Sequence, residues 1–212
     1  MNIVKQLIYL FVLIPNLILT QTSDSLIVKQ IDSLIKVSRD LTAKKEFKKA
    51  LEVNSIAENI VVKEFGKESV YMGNCYFNRG RVNYFEVNYP ESEKWYLLAL
   101  DIHEKIYGKE HLEFAPTLNG LGILYYAMGK YELAESYNLK VKAIREIYLG
   151  KDHPEYAKIL NNLALLYHSM GNYEKAEQSY LESKAILEKI AGNENSLYIA
   201  SLNNLANLYK DM

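Results

Sequence analysis

Cysteine is almost absent from this sequence of 212 residues, which contains Cys75 alone. A single cysteine excludes an intrachain disulfide and any metal centre built from several cysteines. With four prolines and ten glycines, long irregular loops are not expected. The formal net charge of −1 provides no basic field for nucleic acid or for an anionic membrane surface. We interpret Cys75 as a small buried side chain on a helix.

The N-terminal segment 1–22 differs in composition from the rest of the chain. Lys5 precedes the apolar run LIYLFVLIPNLIL at 7–19, and the polar residues TQT follow it. A basic start, a short apolar core and a polar end are typical of a secretory signal peptide. The run is shorter than the roughly 20 residues of a membrane-spanning helix. The segment 1–22 is therefore predicted to direct export to the periplasm or the extracellular space. An uncleaved membrane anchor and a cytosolic N-terminal helix are the alternatives, and after cleavage no stable membrane insertion is expected.

Glycines recur at a fixed interval along the remaining chain. Gly66, Gly108, Gly150 and Gly192 stand at every forty-second position, and similar loops follow them. A pattern of two leucines, a glycine or alanine and a tyrosine keeps the same interval, in the segments that begin at Leu118, Leu160 and Leu202. A period of this length indicates an array of stacked supersecondary units.

Each period contains two amphipathic helices. In 155–170 the apolar residues fall at i, i+3, i+4 and i+7, and Gly171 then ends the pattern. A second helical pattern fills 173–190. The loop GKDHPE separates one period from the next, and Asp152 is predicted to be the N-cap of the helix that follows it. Helix hairpins cannot bury their apolar faces alone, so the sequence predicts an all-α solenoid of stacked antiparallel hairpins.

The stretch NNLALLYHSMGNYEKAEQSY at 161–180 resembles the tetratricopeptide repeat in its spacing of leucine, small residues and tyrosine. The unit is longer than the usual repeat of about 34 residues. It is similar to the extended form found in kinesin light chains and in many bacterial exported proteins. The resemblance implies a right-handed α-solenoid over 23–212. The predicted repeats are 24–67, 68–109, 110–151 and 152–193, with a partial repeat at 194–212.

The partial repeat corresponds only to the first helix of a unit, because the segment from Tyr209 to Met212 aligns with that from Tyr167 to Met170. A first helix without its second helix leaves an apolar face open. We therefore expect either that the chain is a fragment of a longer protein, or that a partner covers this end. Self-association through the last helix is one form of the second alternative.

No catalytic or cofactor-binding motif is found in the sequence. His111 and His153 recur at one loop position, where a helix-start role is expected, and His103 is assigned to a polar helix face. The histidines have no metal-binding spacing, and neither a phosphate-binding loop nor a nucleophile elbow is present. The sequence therefore predicts a protein that is not an enzyme and that binds no metal and no cofactor.

The resemblance also assigns a candidate peptide-binding groove. In the tetratricopeptide family the concave surface is lined mainly by first-helix positions that point away from the second helix. The matching positions form three sets along the repeats, and Phe77 interrupts the first set in the second repeat. The sets are Asn119, Asn161 and Asn203 with Asn162 and Asn204 beside them; Arg81, Ile123, Leu165 and Asn207; and Tyr84, Tyr126, His168 and Lys210.

Asparagine recurs within these predicted helices although it is unfavourable there, because its side chain competes for backbone hydrogen bonds. Two explanations are open. The amides could hold the backbone of a bound peptide, since each offers donors and an acceptor. Alternatively, they could hydrogen-bond between adjacent helices and stiffen the solenoid.

The sequence and the family resemblance predict three alternative functions. The first is a non-catalytic scaffold that binds a peptide or a partner domain on its concave face. The second, implied by resemblance to exported bacterial proteins, is the sensing or regulatory arm of a larger protein that ends in a CHAT-like peptidase or a signalling kinase. The third is a structural spacer or an oligomerisation module. Arg81 and Lys210 lie among neutral groove residues, so the sequence predicts no particular class of peptide.

Overall fold

The computed structural model describes residues 24–191 and 196–212, and the predicted signal peptide at 1–22 lies outside these residues. The described residues form helices joined by short turns and contain no β-strand. A short 3-10 helix, Leu112–Phe114, precedes the fifth α-helix. The α-helices are α1 (24–43), α2 (Phe47–Glu64), α3 (Val70–Phe85), α4 (Tyr89–Tyr107), α5 (Ala115–Ala127), α6 (Tyr131–Leu149), α7 (Pro154–Ser169), α8 (Tyr173–Ala191) and α9 (Ser196–Asp211).

The helices pack as hairpins that stack along the chain, which confirms the predicted solenoid. The pairs α3–α4, α5–α6 and α7–α8 make the most extensive contacts, and each of these hairpins also contacts the next helix. Among the described residues, α3 contacts α5 and α7 contacts α9, whereas no two even-numbered helices approach as closely. Because the odd-numbered helices lie closer together, their layer is the concave side of the solenoid.

The turn inside each hairpin has the same backbone geometry in all four hairpins. Gly129 and Gly171 follow α5 and α7 with φ of 71° and 73°, a left-handed conformation that glycine adopts without a Cβ penalty. Lys45 and Val87 occupy the equivalent positions of the first two hairpins with φ of 62° and 66°. A side chain in this conformation costs about 1–2 kcal/mol. The first two hairpins therefore form the same turn with a strain that the later two avoid.

Small residues allow the two helices of each hairpin to approach closely. Ala134, Ala164 and Ala176 are fully buried. A Cβ atom added at Gly122 would lie 2.4 Å from Asn138 Oδ1, so a larger residue would displace the Asn138 side chain. Cys75 is also fully buried, as predicted.

The assignment of His103 to a polar helix face is wrong. The residue is 3% exposed and its Nδ1 lies 2.8 Å from Thr117 Oγ1 on the adjacent helix α5. Burial lowers the pKa of the His103 imidazole. The His103 ring also packs against Gly73 on α3, where an added Cβ atom would lie 2.4 Å from Nε2. The sequence pattern of α4 alone could not reveal this environment, because α3 and α5 together create it.

The predicted N-cap of α7 is displaced by one residue. His153 is the N-cap, and not Asp152, since the His153 Nδ1 atom accepts a hydrogen bond from the Glu155 amide at 3.1 Å. Pro154 occupies the start of the helix, which places the cap directly before it. His111 Nδ1 accepts a bond from the Glu113 amide in the same way at 3.2 Å. The helix-start role predicted for both histidines is confirmed.

Candidate peptide-binding groove

The predicted asparagines lie on the concave layer and bond to one another across neighbouring helices. The Nδ2 atom of Asn162 on α7 donates to Oδ1 of Asn119 on α5 at 3.3 Å. The same bond recurs one repeat later, where Asn204 on α9 donates to Asn161 on α7 at 3.4 Å. This geometry corresponds to the second explanation for the asparagines, in which their amides join adjacent helices.

Two further side-chain pairs connect the same helices near their C-terminal ends. The hydroxyl groups of Tyr126 and Ser169 lie 2.9 Å apart, and His168 Nε2 lies 2.9 Å from Asp211 Oδ2. Polar groups on the concave layer of α5, α7 and α9 thus satisfy one another. We call these contacts the inner ladder, which consists of the pairs Asn119–Asn162, Asn161–Asn204, Tyr126–Ser169 and His168–Asp211.

Four of the predicted groove residues lie on α7 and α9 outside the inner ladder. Leu165 is half-buried on α7, and Asn203, Asn207 and Lys210 are exposed on α9. Other predicted residues line a cleft between α3 and α5. The structure does not bring these four residues to that cleft.

This cleft of about 280 Å³ opens on the concave layer. Phe77 and Gly120 stand here at the positions equivalent to Asn119 and Asn162, one period earlier in the sequence, so this ladder bond cannot form. The predicted residues Arg81, Tyr84, Asn119 and Ile123 line the cleft. They are joined by Arg39, Phe77, Phe85, Tyr96, Pro116 and Gly120.

Two glycines give the cleft its floor by making room for an aromatic ring. A Cβ atom at Gly80 would lie 2.7 Å from Tyr96 Cδ1, and one at Gly120 would lie 3.1 Å from Tyr96 Cε1. The Tyr96 side chain from α4 therefore reaches between α3 and α5, where it is 4% exposed. Its ring centroid lies 5.5 Å from that of Phe77, which fixes both aromatic walls.

A second cleft of about 340 Å³ adjoins the first and shares Arg39, Phe77 and Pro116 with it. Its other lining residues come mainly from α1, α3 and α5 and include both acidic and basic side chains: Asp32, Ile35, Lys36, Asn74, His103, Glu113 and Thr117. The two clefts form one continuous depression, which we call the N-terminal groove.

Two arginines face the first cleft, and no carboxylate is among the described residues that line it. Arg39 on α1 and Arg81 on α3 occupy equivalent positions of successive repeats. Burial lowers the pKa of Arg39, and the neighbouring charge of Arg81 lowers it further, while Asp32 acts in the opposite direction. The groove therefore holds two guanidinium groups close enough to repel each other.

Six of the ten lining residues are not among the groove positions predicted from the sequence, and Arg39 and Tyr96 illustrate two different reasons. Arg39 could have been found, because it precedes Arg81 by one period of the repeat. Tyr96 could not, since it belongs to a second helix and reaches the concave side only through the space left by Gly80 and Gly120.

No group of three or more His, Cys, Asp or Glu residues could hold a metal ion within 24–191 and 196–212. No helix in the same ranges is long and apolar enough to cross a membrane. The N-terminal groove instead offers aromatic rings, an amide and guanidinium groups, which suit the recognition of an extended polypeptide.

Solved structures share this architecture. The crystal structure of BtubC (BKLC) from P. vanneervenii has a TM-score of 0.75 and 22% identity, and the match covers 86% of this chain and 72% of that one. Two structures of a Podosopora anserina protein of the kinesin light chain type, with nearly identical TPR-like repeats, have TM-scores of 0.72 and 0.73 at 21% identity. They cover 85% of this chain and 86% and 85% of their own. The chain thus has the fold of these α-solenoids.

The tetratricopeptide repeat family model matches residues 87–147, 113–189 and 155–212, which together make up more than half of the sequence. The chain belongs to the tetratricopeptide repeat family, and it is a protein–protein interaction scaffold of the type that is generally non-catalytic. No curated protein matches the sequence.

Proposed function

We propose that the protein binds an extended segment of a partner protein along the N-terminal groove. The observation that supports this proposal is the break in the inner ladder between α3 and α5. At the α5–α7 and α7–α9 interfaces, asparagines close the concave layer by bonding to each other. Between α3 and α5, Phe77 and Gly120 replace that pair and leave an open cleft with aromatic walls.

The groove is suited to a polypeptide ligand because its walls are already held in place. Tyr96 and Phe77 pack against each other, and Gly80 and Gly120 fix the depth of the cleft. A preformed site requires little ordering of the protein when a ligand binds, which favours affinity. Asn119 lines the cleft, and its Nδ2 group can donate to the backbone of an extended chain while its Oδ1 atom accepts from Asn162. The aromatic walls accept a side chain of the ligand.

Selection from a phage-displayed library of random dodecapeptides tests this proposal. Ile123 is 37% exposed and lines the cleft, so Ile123→Trp fills the cleft without disturbing the core. Leu139 on α6 is 44% exposed and outside the groove, so Leu139→Trp is a matched control. We expect peptides that bind the wild type and the control but not the Ile123→Trp variant. Peptides that bind both variants equally, or no enriched peptides at all, would contradict the proposal.

The other functions predicted from the sequence stay predictions, as do export and the signal peptide. A pure spacer would enrich no peptide in this selection, whereas a regulatory arm would enrich peptides as a scaffold does. Self-association would use the face of α9 on which Leu202, Ala206 and Tyr209 are exposed. Analytical ultracentrifugation of the wild type and of Leu202→Glu measures this directly, since self-association through α9 predicts a dimer that the substitution dissociates.

A further inference from the structure

The arginines of the N-terminal groove differ from the other two arginines of the chain, which are Arg79 and Arg145. Arg79 is paired with Glu58 at 2.7 Å, and Arg145 is paired with Glu155 at 2.7 Å. Arg39 and Arg81 form no ion pair within the part of the chain that the structure describes, and no described carboxylate lines their cleft. Their described contacts are of other kinds, since the Arg81 guanidinium lies 5.7 Å from the centroid of the Phe85 ring and the charge of Asp32 favours the charged form of Arg39. Two of the arginines thus have an ion-pair partner within the fold, and the two without one line an open cleft.

The repeat pattern does not require arginine at the position of Arg39 and Arg81. The equivalent residues of the following repeats are Ile123, Leu165 and Asn207, and their helices stack in the same way. Two like charges held near each other oppose folding unless something compensates for them. Residues that depart from the local pattern without a gain in stability commonly serve a function.

We infer that the N-terminal groove selects peptide segments with an anionic side chain, a carboxylate or a phosphate, which Arg39 and Arg81 bind together. The inference rests on the proposed function and names the chemistry of its ligand. A guanidinium group presents a planar fork of N–H donors that matches the oxygens of either anion. Phe77, Tyr84 and Tyr96 line the same cleft, so an apolar side chain of the peptide lies beside the anion.

The charges around the groove decide where the anion lies. Asp32 and Glu113 line the adjoining cleft together with Lys36, so the charge there is mixed. Among the described residues, Arg39 and Arg81 are the only charged ones that line the first cleft. The anion therefore lies between these arginines and not in the adjoining cleft.

The test begins with the sequences of the peptides that the library selection enriches on the wild type. The inference predicts that Asp or Glu beside an apolar residue is enriched. The best peptide is then synthesised with Glu, Gln or phosphoserine at the acidic position, and its affinity is measured by fluorescence anisotropy. We expect the Gln peptide to bind about tenfold more weakly than the Glu peptide, because a charge-assisted hydrogen bond is lost. In the Arg39→Gln/Arg81→Gln variant this difference disappears.

The matched control is Lys29→Gln/Lys48→Gln, which removes two positive charges from exposed positions outside the groove. This control keeps the difference between the Glu and Gln peptides. If the arginine variant does not fold, the wild type alone remains informative, because raised salt weakens the Glu peptide and leaves the Gln peptide nearly unchanged. A phosphoserine peptide that binds more tightly than the Glu peptide identifies phosphate as the preferred anion, and weaker binding identifies carboxylate.

Each failure points to a different conclusion. Peptides that require an open cleft but show no acidic enrichment overturn this inference and leave the proposed function intact. A Glu–Gln difference that persists in the arginine variant, or that is insensitive to salt, also overturns the inference. If no peptide binds the wild type, the proposed function itself is wrong.

Discussion

The first two hairpins and the later ones stack in the same way but are joined by different bonds. From α4 onward, a tyrosine on an odd-numbered helix donates to a glutamate on the preceding helix. Tyr125 bonds to Glu93 at 2.8 Å, and Tyr167 bonds to Glu135 at 2.9 Å. At the first interface the equivalent residues are Asn83 and Leu51, which cannot form this bond.

A buried polar cluster takes the place of that bond in the first two hairpins. The Nδ2 atom of Asn78 donates to Ser38 Oγ and to Asn54 Oδ1, both at 2.9 Å. Arg79 beside it stands where the later repeats have the core leucines Leu121, Leu163 and Leu205, and it pairs with Glu58 instead. The comparison teaches that hairpins of this kind stack through either set of bonds. The N-terminal repeats use the buried cluster, and their concave side has an open cleft.

The largest effect is expected at Asn78, which has the same repeat position as Asn162 but is fully buried. Asn78→Ala leaves Ser38 and Asn54 without their donor inside the protein and should lower the free energy of unfolding by about 3 kcal/mol. Asn162→Ala, at a half-buried position, should lower it by less than about 1 kcal/mol. Urea unfolding followed by circular dichroism measures both values, and equal losses would show that the two halves do not differ in this way.

The next effect concerns the strained turn at Val87. Val87→Gly relieves a left-handed conformation at an exposed residue and should stabilise the protein by about 1 kcal/mol. The reciprocal change Gly171→Val, at the equivalent turn after α7, should destabilise it by about 1–2 kcal/mol. Both are read as shifts in the urea midpoint. A stabilising Gly171→Val variant would contradict the assigned turn geometry.

A smaller effect is expected for the tyrosine–glutamate bond. Tyr167→Phe removes the hydroxyl group that donates to Glu135 and should lower the free energy of unfolding by about 1 kcal/mol. Tyr131→Phe changes a half-buried tyrosine on α6 in the same way and serves as the control, with an expected change below about 0.5 kcal/mol. If both substitutions have the same effect, the bond does not contribute to the later interfaces.

The last effect is a fall in stability that is absent at neutral pH and develops in alkaline solution. Burial raises the pKa of Tyr156 to about 12, and burial with the bond to Glu135 raises that of Tyr167 to about 12. In the unfolded chain both titrate near 10, so unfolded molecules lose these protons first and stability falls as the pH rises from about 10 to 12. The Tyr156→Phe/Tyr167→Phe variant should show a shallower fall in Tm over this range. An unchanged slope would show that these tyrosines titrate normally.

The periodic part of the structure could be predicted from the sequence, and the exceptions could not. Equal spacing of Gly66, Gly108 and Gly150 is sufficient to locate the hairpins, because every unit repeats the same local pattern. The groove depends on departures from that pattern. The sequence shows that Gly120 departs from the pattern. It does not show that the Tyr96 side chain enters from another helix as a result, because this depends on tertiary packing. The prediction for His103 was wrong for the same reason, since its burial depends on the neighbouring helices α3 and α5.

Photo-crosslinking tests most directly the claim that the N-terminal repeats, which depart from the repeat pattern, bind the peptide. The same claim gives the regular C-terminal repeats a structural role. The best peptide from the library selection is synthesised with a benzophenone side chain beside its acidic residue, and irradiated with the wild-type protein. Mass spectrometry of the digested product then identifies the attached residues. Our account predicts attachment within α1, α3 and α5, around Phe77, Tyr84 and Ile123. Attachment to the concave side of α7 and α9, around Asn161 and Leu165, would contradict it.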